Sequence, residues 1–161
     1  MKRYTILLSL ILFAATPGVF AQMSAADSVL EAHRVKFDPS RNPATDLEAA
    51  VATATKEKKR ILLDVGGEWC SWCHRLDRFL HGQEDLDAYL SKHYLVVKVN
   101  FSKENKNEKF LGQYPAIDGY PHFFVLDSNG KFLHSQSTGD FEAGKGYDHD
   151  KILQFLKKWT V

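Results

Sequence analysis

Cysteine is scarce in this chain, with two among 161 residues. They stand three positions apart, at Cys70 and Cys73, and a bridge closing so short a loop removes little chain entropy, which excludes a disulfide-stapled scaffold. An excess of charge is missing too. The 21 Lys and Arg nearly cancel the 20 Asp and Glu, so nothing favours nucleic acid or an anionic membrane surface as partner. Internal repeats and low-complexity tracts are absent. The longest apolar run near the start, residues 6–15, is too short and isolated to remain in a bilayer as a spanning helix. With Lys2 and Arg3 before it and Val19-Phe20-Ala21 after it, that run has the three parts of an export signal, and cleavage is expected after Ala21. No cysteine follows the signal to carry a lipid, so stable membrane insertion is not expected and the location is periplasmic or secreted. Residues 22–161 suit one domain with its own core.

What is present is concentrated in Glu68-Trp69-Cys70-Ser71-Trp72-Cys73-His74, which follows the apolar run Ile61-Leu62-Leu63-Asp64-Val65. Two thiols at this spacing can tie a local loop, or close and reopen a small ring and so store two electrons. If residues 60–65 form a strand and residues 71–80 a helix, Cys70 lies at the helix N-terminus. There, unpaired N–H groups and the positive dipole end stabilise a thiolate, which makes Cys70 the nucleophile.

The remaining chain reads as support. Residues 22–43 form an N-terminal extension, turn-rich around Pro39 and Pro43, and the domain runs from 44 to 161. Thr45-Asp46-Leu47-Glu48 has capping-box spacing and opens a helix with Leu47, Ala50, Val51 and Ala54 on one face. Residues 60–65 leave no polar face and predict a buried strand. Leu76, Phe79 and Leu80 continue the next helix, and Leu86, Tyr89 and Leu90 extend or restart it. Residues 94–101 form the second strand, 102–109 a solvated connection, and Phe110, Leu111 and Tyr114 a short helix. Asn129-Gly130 between apolar runs predicts a tight hairpin with a type I′ turn. Asp148 or Asp150 caps a last helix carrying Ile152, Phe155, Leu156 and Trp159. The expected fold is α/β: a central mixed sheet with parallel crossovers, an antiparallel C-terminal hairpin, and helices on both faces.

Two charges interrupt the strands. Asp64 and Lys98 each sit within an apolar run, where an unpaired ion costs several kcal/mol, and pairing across adjacent strands would resolve both. Trp69 reads chiefly as packing that shields apolar area beside the site, and Trp72, between the cysteines, as a contact for an approaching partner. His33, His81, His93, His134 and His149 read as ordinary surface or half-buried residues.

In order along residues 46–159, the strand ending at Asp64, Trp69-Cys70-x-x-Cys73, Lys98-Val99-Asn100, Gly119-Tyr120-Pro121 and Asn129-Gly130 resemble the thioredoxin superfamily. The resemblance implies a thioredoxin-like fold and a thiol:disulfide oxidoreductase, with Cys70 attacking, Cys73 resolving and Pro121 a cis-proline facing them. It makes Asp64 the buried acid beneath Cys73 and Lys98 its neighbour, and the cis bond turns the Tyr120 backbone toward the site; Tyr120 and Pro121, with Trp69 and Trp72 beside the cysteines, are the candidate client-binding residues. Ser71-Trp72 replaces the Gly-Pro of thioredoxin itself, and His74 stands where thioredoxin has lysine. With an export signal, the chain is more similar to periplasmic reductases and disulfide isomerases than to the cytosolic carrier. Clients would be proteins with disulfides or thiols, the electron source an upstream thiol protein, and no cofactor or metal would be needed.

Two rivals use the same residues. Cys70-Ser71-Trp72-Cys73-His74 spells the attachment sequence for c-type haem, which would make His74 an axial ligand. The only methionine after Met1 is Met23, far from a distal position. Alternatively Cys70, Cys73 and His74 could carry Cu(I) or Zn²⁺, one ligand short of the usual tetrahedral set.

Overall fold

The structure, a computed structural model, describes residues 35–160. The expected export signal, residues 22–34 of the extension and His33 lie outside the described residues. Helix α1 (Pro43–Glu57) is capped by Asn42, whose side chain accepts from the Ala44 N–H at 3.0 Å. Pro43 at the first helical position has no N–H to satisfy. This cap displaces the expected capping box at Thr45 into the first turn, where Asp46 instead takes the Arg41 guanidinium at 2.8 Å. Lys58 ends the helix in the left-handed region.

Strand β1 (Arg60–Gly66) leads into α2 (Ser71–Gly82), α3 (Glu84–His93) and β2 (Tyr94–Asn100). The apolar stripe therefore restarts after Gly82 as a second helix. A one-turn α4 (Glu108–Leu111) precedes β3 (His122–Leu126) and β4 (Phe132–Ser137), and α5 (His149–Trp159), capped by Asp148, closes the domain. The sheet order is β2-β1-β3-β4. Among the described residues only β1 and β2 run parallel, so the expected parallel crossovers reduce to one, and β3 and β4 each pair antiparallel with their neighbour.

Alternation along β1 divides the interior. Ile61, Leu63 and Val65 face α1 and α4 with Val97, Val99 and Phe124. Leu62 faces the other way, with Phe123 and Val125, against α2, α3 and α5. Both sheet faces are covered, and each fully buried Leu or Ile adds about 1.5–3 kcal/mol of hydrophobic stabilisation.

Two connections differ from expectation. In the hairpin, Gly130 has φ 83 but Asn129 is not among the positive-φ residues, so the turn is not type I′. Gly130 N–H donates to Asp127 O at 3.0 Å, and the Asp127 carboxylate takes the Asn129 and Lys131 N–H groups, both at 2.9 Å. This is a three-residue loop in which the glycine alone supplies the left-handed step. The expected solvated connection after β2 is organised by its asparagines: Asn100 Nδ2 donates to Asn105 O and Asn107 Nδ2 to Asn100 O, each at 2.7 Å. Ser102 is buried, and Asn105 Nδ2 reaches back to Pro39 O at 2.9 Å.

Candidate active site

The site begins where β1 ends. Gly66 has no side chain because the sulfur of Cys73 takes its place: a Cβ there would lie 2.5 Å from Cys73 Sγ. At Gly67 a Cβ would run into the Trp69 indole and the Phe101 carbonyl oxygen. The paired glycines thus let the chain turn tightly enough to bring the next helix back over the strand.

Cys70 is the N-cap of α2, with its Sγ accepting from the Cys73 N–H at 3.1 Å. The two cysteines are joined as a disulfide, and both are buried. An N–H aimed at Cys70 Sγ, with the helix dipole behind it, favours the thiolate when the bond is reduced.

Asp64 and Lys98 are register partners across β1 and β2, and Lys98 Nζ donates to Asp64 Oδ2 at 2.7 Å. The same ammonium donates to Asp77 Oδ1 of α2 at 2.6 Å, so one cation serves two buried acids. Asp64 lies on the strand face of Gly66, two residues before it, and its Oδ1 has no hydrogen bond among the described residues. Burial holds the Asp64 carboxyl above its ordinary range, with Lys98 pulling the other way. Burial also acts to lower Lys98, but the two carboxylates outweigh it and hold the ammonium above its usual value.

The rim is aromatic. The Tyr120-Pro121 bond is cis, and Thr138 Oγ1 anchors the Pro121 carbonyl at 2.5 Å. Tyr120 stacks on Phe101 at 4.8 Å and meets Trp69 edge-on at 5.7 Å. Trp69 is 58% exposed, tethered by its Nε1–H to Phe101 O at 2.6 Å, so it is a surface ring rather than the expected packing residue. Trp72 differs the other way. It is half-buried against Tyr147 at 5.5 Å, with the Arg75 guanidinium 4.3 Å above its ring, because position 72 turns toward the α2 core face.

His74 Nε2 donates to the Glu68 carbonyl oxygen at 2.8 Å, so this nitrogen carries a proton and is committed to the loop. Both rival uses of the motif need His74 as a ligand. Among the described residues no group of three or more His, Cys, Asp or Glu is placed to hold a metal ion.

Three residues of this region were not legible as site residues. Asp77 stands four positions after Cys73, and that helical spacing is the signal that could have found it. Phe37 is buried against both cysteines, although nothing in its turn-rich neighbourhood marks it. His122, directly after Pro121, is buried with Nε2 2.8 Å from Ser135 Oγ.

The sequence and the fold are similar to those of known proteins. Residues 42–128 match the family model described as thioredoxin-like. Disulfide bond reductase DsbH of Chlamydia pneumoniae is 26% identical over 119 residues, spanning 68% of this chain and 69% of that protein. The thiol:disulfide interchange protein DsbD of Pseudomonas fluorescens is 24% identical, over 77% of this chain but only 20% of its own length. Among solved structures, a disulphide isomerase from Xylella fastidiosa superposes with a TM-score of 0.64 at 26% identity, covering 78% of this chain and 97% of the other. The family match covers more than half of the 161 residues and includes β1, both cysteines, the Asp64–Lys98 pair and Pro121. The chain therefore belongs to the thioredoxin-like family.

Proposed function

We propose that this protein is a thiol:disulfide oxidoreductase of the cell envelope that reduces or isomerises disulfides in client proteins. The observation that carries the reading is a Cys70–Cys73 disulfide at a helix N-terminus, on the same side of the sheet as the buried acid–lysine–acid network Asp64–Lys98–Asp77.

In the reductive direction Cys70 thiolate attacks a client disulfide. A Cys70–client bond forms, and the other client sulfur leaves as a thiolate. Asp64 then takes the Cys73 proton. Cys73 attacks Cys70 Sγ, the intramolecular disulfide closes, and the second client sulfur leaves and is protonated from solvent. The client gains two electrons and the Cys70–Cys73 pair loses two, so an upstream thiol protein must restore the dithiol. Lys98 holds the network's charge while the Asp64 proton comes and goes, and Asp77 keeps the lysine paired at every stage.

Trp69, Tyr120 and Phe101 give an extended client segment an apolar surface beside Cys70, with Pro121 at its inner edge. The names of the relatives support a Dsb-type role, and with the expected export signal they favour an oxidising compartment outside the cytoplasm. Among the described residues no helix is long and apolar enough to cross a membrane.

Trapping tests the division of labour. Cys73→Ser is expected to accumulate mixed disulfides with clients on non-reducing gels, and Cys70→Ser to accumulate none. Equal trapping by the two variants would sink the assignment. The reduction potential then sets the direction, since a value near about −270 mV marks a reductase and one near about −120 mV an oxidant.

A further inference from the structure

We infer that Phe37, carried by the segment before α1, is a positioning residue for the resolving half-reaction: its ring is the apolar wall that keeps water from Cys73 and Lys98 and seats the ammonium between its two acids. This rests on the disulfide-exchange reading above and deepens it.

Four observations converge on the ring. Val35, Lys36, Asp38, Pro39 and Ser40 around it are exposed, yet Phe37 is 2% exposed. Its buried neighbours are Cys70 and Cys73, flanked by Trp72 and Tyr120, which join this cluster to the two sheet cores, so its burial serves the disulfide rather than a helix–sheet interface. The ring occupies the space that a side chain at position 66 would otherwise approach, since a Cβ on Gly66 would fall 3.0 Å from Phe37 Cζ. Finally, Lys98 Nζ lies 4.8 Å from the ring centroid, so the face of the ring is a third neighbour of an ammonium already bonded to Asp64 and Asp77.

The seat is built rather than incidental. The Phe37 N–H donates to Glu68 Oε1 at 2.8 Å, in the loop that carries Cys70. Asn105 Nδ2 holds the Pro39 carbonyl, which ties the same segment to the loop after β2.

The consequence falls on Asp64. The charged and titratable groups acting on it are Lys98 from β2, Asp77 and His81 from α2, and Tyr147 from the two-stranded ribbon that pairs Glu142–Ala143 with Gly146–Tyr147 before α5. Phe37 adds a neutral ring beside the first of these, and that ring cannot solvate a carboxylate. Removing it admits water, which favours the charged carboxylate and makes it a weaker base. The acid limb of resolution should therefore move to lower pH while the plateau rate falls. Lost packing alone would change stability without moving a titration.

The test mixes the reduced full chain with oxidised glutathione, so that Cys70 takes one glutathione as a mixed disulfide and the other leaves as the thiolate, and follows release of the second glutathione on attack by Cys73 by stopped flow from pH 5 to 9. Wild type should show an acid limb that Asp64→Asn abolishes. If it does not, the role given to Asp64 falls, and this inference with it. With that limb established, Phe37→Ala should shift it down by about one pH unit, roughly a tenfold change in the ionised fraction at a fixed pH on the limb. A folded Phe37→Ala with the wild-type limb would overturn the inference alone and leave the disulfide-exchange reading standing. Should Phe37→Ala fail to fold, Phe37→Leu decides: it has no ring face for Lys98 and closes the wall less fully. Its limb should move by about half a unit, roughly threefold, and superposition on wild type would count against the ring.

Discussion

The two faces of β1 are made by the same seven residues and serve opposite ends. Toward α1, Ile61, Leu63 and Val65 are wholly buried among aliphatic and aromatic side chains. Toward α2, the strand presents Leu62, then Asp64, then Gly66: an apolar residue, a buried carboxylate, and a gap that admits a sulfur. The first face is a plain source of stability. The second gives up apolar burial at two of three positions and gains a proton acceptor and a seat for the disulfide. A strand can hold both only because its side chains alternate, so the chemistry on one face leaves the packing of the other undisturbed.

The contrast is sharpest when each face is broken in turn. Lys98→Met should be the more damaging change, because it leaves Asp64 and Asp77 buried together without their shared cation. A loss of about 3–5 kcal/mol is expected at pH 7, read from denaturant unfolding, and acidification should restore part of it as a carboxylate becomes protonated. On the other face Leu63→Ala should cost about 2–5 kcal/mol through lost burial and a cavity. That loss should be nearly independent of pH. If the two deficits responded to pH alike, the division between a charged and an apolar face would be wrong.

Asp64→Asn probes the same face with the opposite sign. Burial raises the Asp64 carboxyl above its unfolded value, so the folded state binds this proton more tightly. The associated stability is complete below the unfolded pKa and is lost as pH rises through the folded one. Once that proton is lost the wild type holds a costly buried charge that asparagine never carries, and Lys98 keeps Asp77 as partner. The variant should be as stable as wild type or more so at pH 7, by up to about 1–2 kcal/mol, with the advantage shrinking on acidification. Its resolution of mixed disulfides should nonetheless slow, whereas slow resolution combined with a lower melting temperature would assign Asp64 to structure.

What could be read in advance follows from how each residue stands out from its surroundings. Asp64 and Lys98 were legible as a pair because a charge within an apolar strand is anomalous, and pairing is its least costly remedy. Asp77 was not, since an acid on a helix ordinarily faces water and only the tertiary position of α2 turns it inward. Phe37 lacks periodic neighbours: one aromatic residue among turn formers carries no directional signal, and its burial depends on a loop 31 residues away. Local rivalry decided the helix start, where Asn42-Pro43 and Thr45-x-x-Glu48 offered two caps within one turn. The hairpin was legible in place but not in type, because the Asp127 carboxylate closes the loop and leaves only Gly130 with positive φ.

The smallest expected effect lies at His122, on the apolar side of the sheet, and it tests whether that side is free of titration. His122 is 5% exposed on β3, with its ring 4.9 Å from Phe124 and no hydrogen bond at Nδ1 among the described residues. Burial holds the imidazole below its ordinary value of 6.5, with Asp118 and Asp140 pulling upward and His134 downward. The folded state thus favours the neutral ring. The associated stability is present above the unfolded pKa and is lost as pH falls through the folded one, so acidification from about pH 6.5 toward 5 should weaken the fold. His149 acts in the opposite direction. Hydrogen bonds donated by its ring to the carboxylates of Asp85 and Asp150 raise it, so its contribution is present at acid pH and lost as pH rises. A pH scan of wild type alone would mix the two signs. His122→Gln separates them, since the amide can still meet Ser135 but cannot gain a charge. Between pH 7.5 and 5, wild type should lose about 2–4 °C more in melting temperature than His122→Gln, the shift expected of roughly 1 kcal/mol in a domain of this size. Parallel curves would show that the strand beside Pro121 tolerates protonation and that the apolar face carries no pH sensitivity of its own.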